Sequence, residues 1–145
     1  MPPSYLIKPS LETNFYIDYE WWKDSRDDLS AYLMTHLSPE QLEKLQDIDN
    51  SEIFDHVHPE TGEVFQLDAL GLAIQESAKQ EDFITTHIGL IDSIFRAFLV
   101  NDNRPLNPQD LSEITGRDAP TILKTIGGVR VYRGIRPYVP PDEGE

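Results

Sequence analysis

Cysteine is missing from this chain of 145 residues, which excludes disulfide bonds and thiolate metal sites. Long apolar runs are missing too, since none approaches the ~20 residues that a bilayer-spanning helix requires. Residues 1–7 lack the basic stretch and the long apolar stretch of a secretion signal. These absences predict a cytoplasmic protein without disulfides and without a membrane partner.

Basic side chains are scarce: 12 lysines and arginines stand against 26 aspartates and glutamates, for a net charge of −14. Such a charge opposes the long-range attraction of nucleic acid, because phosphate contacts supply most non-specific binding. The positive charge is unevenly placed. Residues 1–100 have a net charge of −13, whereas residues 104–138 contain six basic and three acidic side chains. Half of the positive charge therefore lies in residues 104–138.

Catalytic motifs are also missing. The chain has no G-x-S-x-G, no Walker A and no G-x-G-x-x-G sequence, and no pattern places an acid and a base together in an apolar pocket. His56 and His58 would share one side of a strand, with Asp55 or Glu60 nearby, but a zinc site generally needs three or four ligands with family spacing. The sequence predicts a non-enzymatic protein with no metal and no cofactor.

Residues 1–81 predict an acidic α+β region. Alternating apolar residues at 14–19 have the period of a half-buried strand. Ser38 is followed by proline, and three residues later by glutamine, which predicts a helix start with a capping box. Two strands separated by a glycine-containing turn predict a hairpin over 53–67, and Asp68 is placed to cap the next helix.

An aromatic group interrupts this acidic region. Its acidic neighbours oppose the stacking of nucleic-acid bases, because they repel phosphates. We therefore interpret the group as part of a core or as a protein interface. A helix is predicted to begin just after it, at Asp24. The aromatic residues are Phe15, Tyr16, Tyr19, Trp21 and Trp22.

The C-terminal part of the chain has the clearest helix signals. Apolar residues at helical spacing predict one helix over 88–99. A second helix begins after Asn107, a capping residue followed by proline, and it ends at Gly116. Its apolar residues, Leu111 and Ile114, are predicted to face inward.

A third helix and a hairpin complete the predicted order of elements. The helix covers 119–126 and stops at Gly127-Gly128. Strands are predicted at 129–132 and 135–139. The polar break near residue 81 separates the region 1–81 from a domain over 82–139, and the acidic, proline-rich residues 140–145 are predicted to form a mobile tail.

The order of three helices and a hairpin in residues 82–139 resembles the winged helix-turn-helix superfamily. The resemblance implies a recognition helix at 117–126 and a wing at 129–139. In winged-helix proteins that bind DNA, the third helix lies in the major groove and the wing contacts the backbone or the minor groove. The residues that the resemblance assigns to such contacts are Arg117, Thr121, Lys124, Thr125, Arg130, Arg133 and Arg136.

The sequence therefore predicts a mainly α fold with small β-hairpins (α+β), and it leaves three hypotheses for function. The first is a DNA-binding regulator of transcription, for which a homodimer would match a two-fold operator. The second is an adaptor that contacts a protein partner through the winged-helix surface or the acidic, aromatic N-terminal region. The third is an acidic mimic of DNA, suggested by the charge of residues 1–100.

Overall fold

A computed structural model describes residues 8–25, 28–46, 54–57, 64–85 and 87–139. These residues form seven helices and four short strands, and the strands pair as two antiparallel two-stranded sheets. The predicted fold class, mainly α with small β elements, is confirmed at this level. In chain order the elements are β1 (Phe15–Ile17), α1 (Tyr19–Asp24), α2 (Leu29–Met34), α3 (Pro39–Gln46), β2 (Phe54–Val57), β3 (Val64–Leu67), α4 (Ala69–Ala78), α5 (Leu90–Val100), α6 (Pro108–Thr115), α7 (Ala119–Ile126) and β4 (Ile135–Pro137).

The chain divides into two compact units, one formed by Met1–Ser25 with Glu81–Glu145 and the other by Arg26–Gln80. The sequence grouped the first 25 residues with the acidic region 1–81, because it shows no distant partner for the first strand. In the structure, β1 pairs with β4, the last strand of the chain. The N-terminal segment therefore belongs to the C-terminal unit. The predicted tail, 140–145, lies outside the described residues.

In the C-terminal unit, β1 joins parts of the chain that are far apart in sequence. On one side, Phe15 exchanges two main-chain hydrogen bonds with Leu106, at 2.8 and 3.0 Å. On the other side, the register places Phe15 opposite Pro137 and Ile17 opposite Ile135. The side chains of Phe15 and Ile17 are fully buried, and β1 lies against α5. The core also includes Trp22, Ile94, Phe95, Phe98, Leu111, Ile122 and Ile135.

Two helices of this unit, α6 and α7, begin as the sequence predicts. Asn107 forms a capping box with Asp110: the Asp110 N–H donates to Asn107 Oδ1 at 2.8 Å, and the Asn107 N–H donates to Asp110 Oδ2 at 3.3 Å. Asp118 caps α7 by accepting from the Thr121 N–H at 3.0 Å. Gly116 ends α6 with a φ of +73°, in the left-handed region that glycine adopts without strain.

One core prediction in α6 is wrong. Leu111 is fully buried as expected, but Ile114 is 36% exposed. Thr115 takes the inward position, and its hydroxyl donates to the Leu111 carbonyl at 2.7 Å. Because a hydroxyl that is bonded to its own helix can be buried at little cost, the buried face lies one residue further along than the apolar pattern suggests.

The aromatic segment contains a helix that the sequence did not predict. Asp18 caps α1 by accepting from the Glu20 N–H at 3.0 Å, which ends the predicted strand at Ile17. The helix predicted from Asp24 begins instead after Asp28, which accepts from the Ser30 N–H at 2.9 Å. Of the aromatic residues, Phe15 and Trp22 are buried in the core, Tyr16 and Trp21 are half-buried, and Tyr19 is exposed.

In the unit Arg26–Gln80, α4 packs against α2 and α3. The predicted capping box is present, since the Gln41 N–H donates to Ser38 Oγ at 3.3 Å and the Ser38 N–H donates to Gln41 Oε1 at 3.2 Å. Asp68 caps α4 by accepting from the Gly71 N–H at 2.8 Å. These two helix starts are confirmed.

The predicted hairpin of this unit is seen as β2 and β3, which pair antiparallel from Phe54 opposite Leu67 to Val57 opposite Val64. The residues between the two strands, including His58 and Glu60 of the metal set that the sequence raised, lie outside the described residues.

Candidate functional site

The exposed face of α7, predicted to read DNA, has most of its polar groups engaged within the helix. The Thr121 hydroxyl donates to Asp118 Oδ2 at 2.7 Å, and the Thr125 hydroxyl donates to the Thr121 carbonyl at 2.9 Å. Lys124 is exposed and forms no hydrogen bond or ion pair with any residue that the structure describes. Lys124 is therefore the cation that α7 offers to a partner.

Arg117, the first residue assigned to that face, binds the protein itself. Its guanidinium Nη2 donates to the carbonyl of Ile88, just before α5. Its backbone N–H donates to the Thr115 hydroxyl at 3.2 Å. The bond to Ile88 connects the turn between α6 and α7 to the start of α5, and the bond to Thr115 fixes the end of α6, so Arg117 stabilises the fold.

The predicted wing is a tight turn followed by one short strand. Arg133 and Gly134 have φ values of +54° and +78°, and the Ile135 N–H donates to the Tyr132 carbonyl at 2.9 Å. Tyr132 and Ile135 form a single bridge, but residues 129–131 form no strand. The first strand predicted for the wing is therefore wrong.

Pro137 gives the physical reason. In a hairpin with a two-residue turn, Tyr132 and Ile135 form the first hydrogen-bonded pair, and the next such pair would join Arg130 to Pro137. That pair requires a backbone N–H from residue 137, which proline lacks. The ladder therefore stops after one bridge.

The other edge of β4 is fully used by β1. The Gly134 carbonyl accepts from the Asp18 N–H at 2.8 Å, and the Tyr138 N–H donates to the Asn14 carbonyl at 2.8 Å. Between them, Tyr16 lies opposite Arg136. The two edges of β4 therefore differ: one is bonded along its whole length, and the other stops at its first residue.

The three wing arginines also differ. Arg136 pairs with Asp18 at 3.2 Å, and that carboxylate is only 15% exposed. The backbone carbonyl of Arg133 accepts from the indole N–H of Trp22 at 3.0 Å, which holds the turn against the core. Arg130 is exposed, its guanidinium lies 4.9 Å from the centre of the Tyr132 ring, and it forms no ion pair within the described residues. Arg130 is thus available to an anionic partner.

Tyr16 lies beside the ion pair of Asp18 and Arg136. Burial raises the pKa of Tyr16 above its ordinary value, and the carboxylate of Asp18 raises this pKa further. The positive charge of Arg136 acts in the opposite direction. The phenol therefore reports on the state of this ion pair.

Residues 127–131, β4 and Pro9 enclose a cleft of about 320 Å³. Ile126, Val131 and Ile135 supply apolar surface to the cleft. Arg130 supplies charge together with Arg136, and no acidic residue lines the cleft within the described part of the chain. We call Pro9, residues 127–131 and β4 the cleft surface.

Two features of the cleft surface leave groups available to a partner. Val129 is fully exposed, at 103% of its reference area. The backbone N–H and C=O groups of residues 128–131 form no hydrogen bond with any described residue. An exposed apolar side chain next to main-chain groups without protein partners can be covered by a partner that supplies both contacts.

Neither feature was found from the sequence. The sequence predicts a paired strand for the residues V-R-V-Y at 129–132, and such a strand would hide their main-chain groups. The signal that could have revealed the cleft surface is Pro137, because its position in the hairpin register blocks the second bond of the ladder.

Comparison with known proteins identifies no relative of this chain. No protein-family model matches this chain, and searches of the curated proteins and of the solved structures found no match to it. Function therefore has to be inferred from the geometry.

Two kinds of feature are absent from the described residues. No helix among them has the length and apolar composition needed to cross a bilayer. No three histidine, aspartate or glutamate side chains among them are grouped so that they could hold a metal ion.

Proposed function

We propose that this protein is a non-enzymatic protein-interaction module that contacts its partner through the cleft surface. The observation that carries the proposal is the fully exposed Val129, which lies within residues 128–131, where the main-chain groups have no partner among the described residues. A protein interface combines an apolar centre with a polar rim and main-chain hydrogen bonds. The cleft surface offers all three.

Charge favours a protein partner over DNA. Of the residues that the winged-helix resemblance assigns to DNA, Arg117 is bound to the Ile88 carbonyl and Arg136 to Asp18. The electrostatic part of DNA binding needs cations that neutralise phosphates and release their counterions. Lys124 and Arg130 can do so, which is little against a net charge of −14.

Duplex DNA remains a second candidate because Lys124 and Arg130 are both exposed. The order α5, α6, α7 and β4 also agrees with the winged-helix resemblance. So does the bridge from Leu106, between α5 and α6, to β1. We therefore keep the winged-helix assignment of this unit as part of the proposal.

Site-specific photocrosslinking tests the protein-interaction proposal. A photoreactive amino acid at position 129 should give protein adducts in the cells that express the chain, since this side chain is fully exposed. The same amino acid at Gln109, an exposed position on α6, serves as the control. Equal labelling at both positions would contradict a specific interface at the cleft surface.

Fluorescence anisotropy with a labelled random duplex separates the two candidates. We expect the full chain to show no salt-sensitive binding at low or moderate ionic strength. Salt-sensitive binding that is weakened by Lys124→Ala would instead support the DNA candidate, because loss of a phosphate contact lowers the affinity and flattens its salt dependence.

A further inference from the structure

We propose that the cleft surface binds an extended acidic segment of the partner protein. One apolar side chain of that segment enters the cleft, its main chain bonds to residues 128–131, and an aspartate or glutamate pairs with Arg130. This inference rests on the proposed function and adds the chemical class of the partner.

The size of the cleft favours one side chain of a partner, and not a small molecule, as the group that binds there. Sites for small molecules and cofactors usually span about 300 to 1,000 Å³, and the volume here, about 320 Å³, lies at the lower limit. The apolar surface from Ile126, Val131 and Ile135 suits a branched or aromatic side chain. Val129, which also lines the cleft, exposes further apolar surface that a bound segment would cover.

The free main-chain groups select an extended conformation. The outer edge of β4 cannot accept a new strand along its length, because Pro137 has no N–H to donate. Residues 128–131 have both donors and acceptors without partners in the described structure. Residues 127–130 bend and do not run as a strand, so a bound segment meets these groups at one or two residues. The segment is extended there, because an extended backbone presents donors and acceptors to one side.

The charges select an acidic segment. Both charged residues that line the cleft within the described structure, Arg130 and Arg136, are positive. Arg136 already pairs with Asp18 at 3.2 Å, so Arg130 is the one that a partner can neutralise. A carboxylate there gains a guanidinium held in place over the Tyr132 ring, and an arginine fork binds carboxylates with defined geometry. A basic side chain at this place would instead put like charges next to Arg130, although the chain as a whole is acidic.

A second copy of the chain fits less well in this place. Two copies of residues 129–131 paired about a two-fold axis would bring Arg130 opposite Arg130, and like charges directly opposite each other are destabilising. Duplex DNA fits less well too, since phosphates gain nothing from Val129 and the apolar cleft. Both remain outcomes that the experiment can detect.

The experiment selects binders from a phage-displayed library of random peptides against the full chain. We expect enriched peptides in which an apolar residue is flanked by aspartate or glutamate. Synthetic copies should bind about tenfold or more weakly to Val129→Asp and to Arg130→Glu, because these changes bury a charge or reverse the one that pairs. Both residues are exposed, so the variants should fold, which circular dichroism verifies.

Lys124→Glu is the matched control. It makes the same charge change at an exposed residue of α7 that does not line the cleft. Peptide affinity should change less than about twofold in this variant, since surface charges outside the contact act weakly. An equal loss in Lys124→Glu and Arg130→Glu would show a general charge effect and would overturn the proposal.

The other outcomes are equally decisive. The acidic-segment proposal would be overturned if the enriched peptides are basic. It would also be overturned if the enriched peptides bind Val129→Asp with the same affinity as the native chain. A concentration-dependent dimer in sedimentation that Val129→Asp abolishes would overturn it as well. If no peptide is enriched but position 129 still crosslinks specifically to a protein, the segment proposal fails and the interaction module stands. If position 129 shows no specific crosslinking, the proposed function fails as well.

Discussion

The strand β4 has two main-chain edges. The edge that faces β1 is fully paired, whereas the edge that faces residues 128–131 is open. Toward β1, the strand is bonded from Gly134 to Tyr138, and its partners Phe15 and Ile17 are fully buried. Toward residues 128–131, pairing stops at the first bridge, and Val129 is fully exposed. The difference shows that available main-chain donors and buried side chains decide pairing here.

Strand propensity alone would predict a strand at 129–132 and no strand at 135–137, which is the reverse of what the structure shows. The residues V-R-V-Y at 129–132 are rich in strand-forming residues, whereas I-R-P at 135–137 ends in a strand breaker. The proline is tolerated in β4 because its missing N–H points away from β1. The same proline leaves the V-R-V segment without a partner and so creates the cleft surface.

The largest effect on the paired side is expected from Gly134→Ala. Gly134 has a φ of +78°, and an added Cβ would lie 2.9 Å from Trp22 Nε1 and 3.0 Å from the Asp18 carbonyl. Left-handed strain and these clashes together should lower the free energy of unfolding by about 2–4 kcal/mol. Urea denaturation followed by tryptophan fluorescence measures the change.

Gly128→Ala is the control on the open side. At that position the nearest atom to an added Cβ is the Lys124 carbonyl oxygen at 4.0 Å, so stability should change by less than about 0.5 kcal/mol. Equal destabilisation in the two variants would contradict the contrast between the paired and the open edge.

A smaller loss of stability is expected when Ile17, the last residue of β1, loses its hydrogen bonds to the side chain of Asn103. Asn103 accepts from the Ile17 N–H at 2.7 Å and donates to the Ile17 carbonyl at 2.9 Å. Asn103→Gly removes both bonds while it relieves the left-handed φ of +58°. We expect a loss of about 1–2 kcal/mol in urea denaturation, because two partly buried main-chain groups lose their partners.

Asp102→Gly is the matched variant for Asn103→Gly. Asp102 also has a positive φ, +54°, so glycine gives similar relief of strain and leaves the bonds to β1 in place. Asp102 has an interaction of its own, so the native chain is the second reference. If Asn103→Gly proves as stable as the native chain, the expected loss of the two bonds to Ile17 is contradicted.

The ion pair at the paired edge should move the pKa of Tyr16 in opposite directions in two variants. Asp18→Asn removes a charge that raises this pKa, so the pKa should fall, whereas Arg136→Gln removes a charge that lowers it, so the pKa should rise. Near-ultraviolet absorbance titration measures tyrosine ionisation, and Tyr16→Phe in each background isolates the Tyr16 signal. Shifts in the same direction would contradict the ion-pair geometry.

The raised pKa of Tyr16 also gives a direction for stability. The folded state holds the phenol proton more tightly than the unfolded state, whose pKa is near 10.0. This contribution to stability is complete below pH 10.0 and is lost as the pH rises through the higher folded-state pKa. Denaturation of the native chain and of Tyr16→Phe across that range measures the difference, which should shrink as the pH rises.

The smallest effect is expected at the open edge. Val129→Ser removes apolar surface that is fully exposed in the folded chain, so the free energy of unfolding should change by less than about 0.5 kcal/mol. Thermal denaturation of this variant provides the measurement. A loss above about 1 kcal/mol would show that Val129 is packed in the free protein, and the cleft surface would then not be open.

The local elements of the C-terminal unit follow from sequence because their signals are local. Asn107 with Asp110 defines the start of α6, and Asp118 defines the start of α7, each through bonds that span three residues. Gly116 ends α6 because only a residue tolerant of positive φ fits there. Such bonds form between neighbours, so a sequence pattern is enough to predict them.

The candidate site was predictable only in part. The sequence directed attention to α7 and the wing, and Lys124 and Arg130 are indeed exposed there. It could not show that Arg117 binds the Ile88 carbonyl or that Arg136 pairs with Asp18. Those partners lie 29 and 118 residues away in sequence, and no local pattern identifies them.

By itself, the sequence determined the acidic charge, the absence of cysteine, the starts of α3, α4, α6 and α7, and the mainly α composition. Tertiary structure decided that β1 joins β4, that Thr115 and not Ile114 faces the core, and that residues 128–131 stay open. Each of these outcomes depends on which distant groups meet to bury apolar area or to complete hydrogen bonds. Capping and helical periodicity are set within a few residues, whereas the pairing of strands 120 residues apart is set by the packed core.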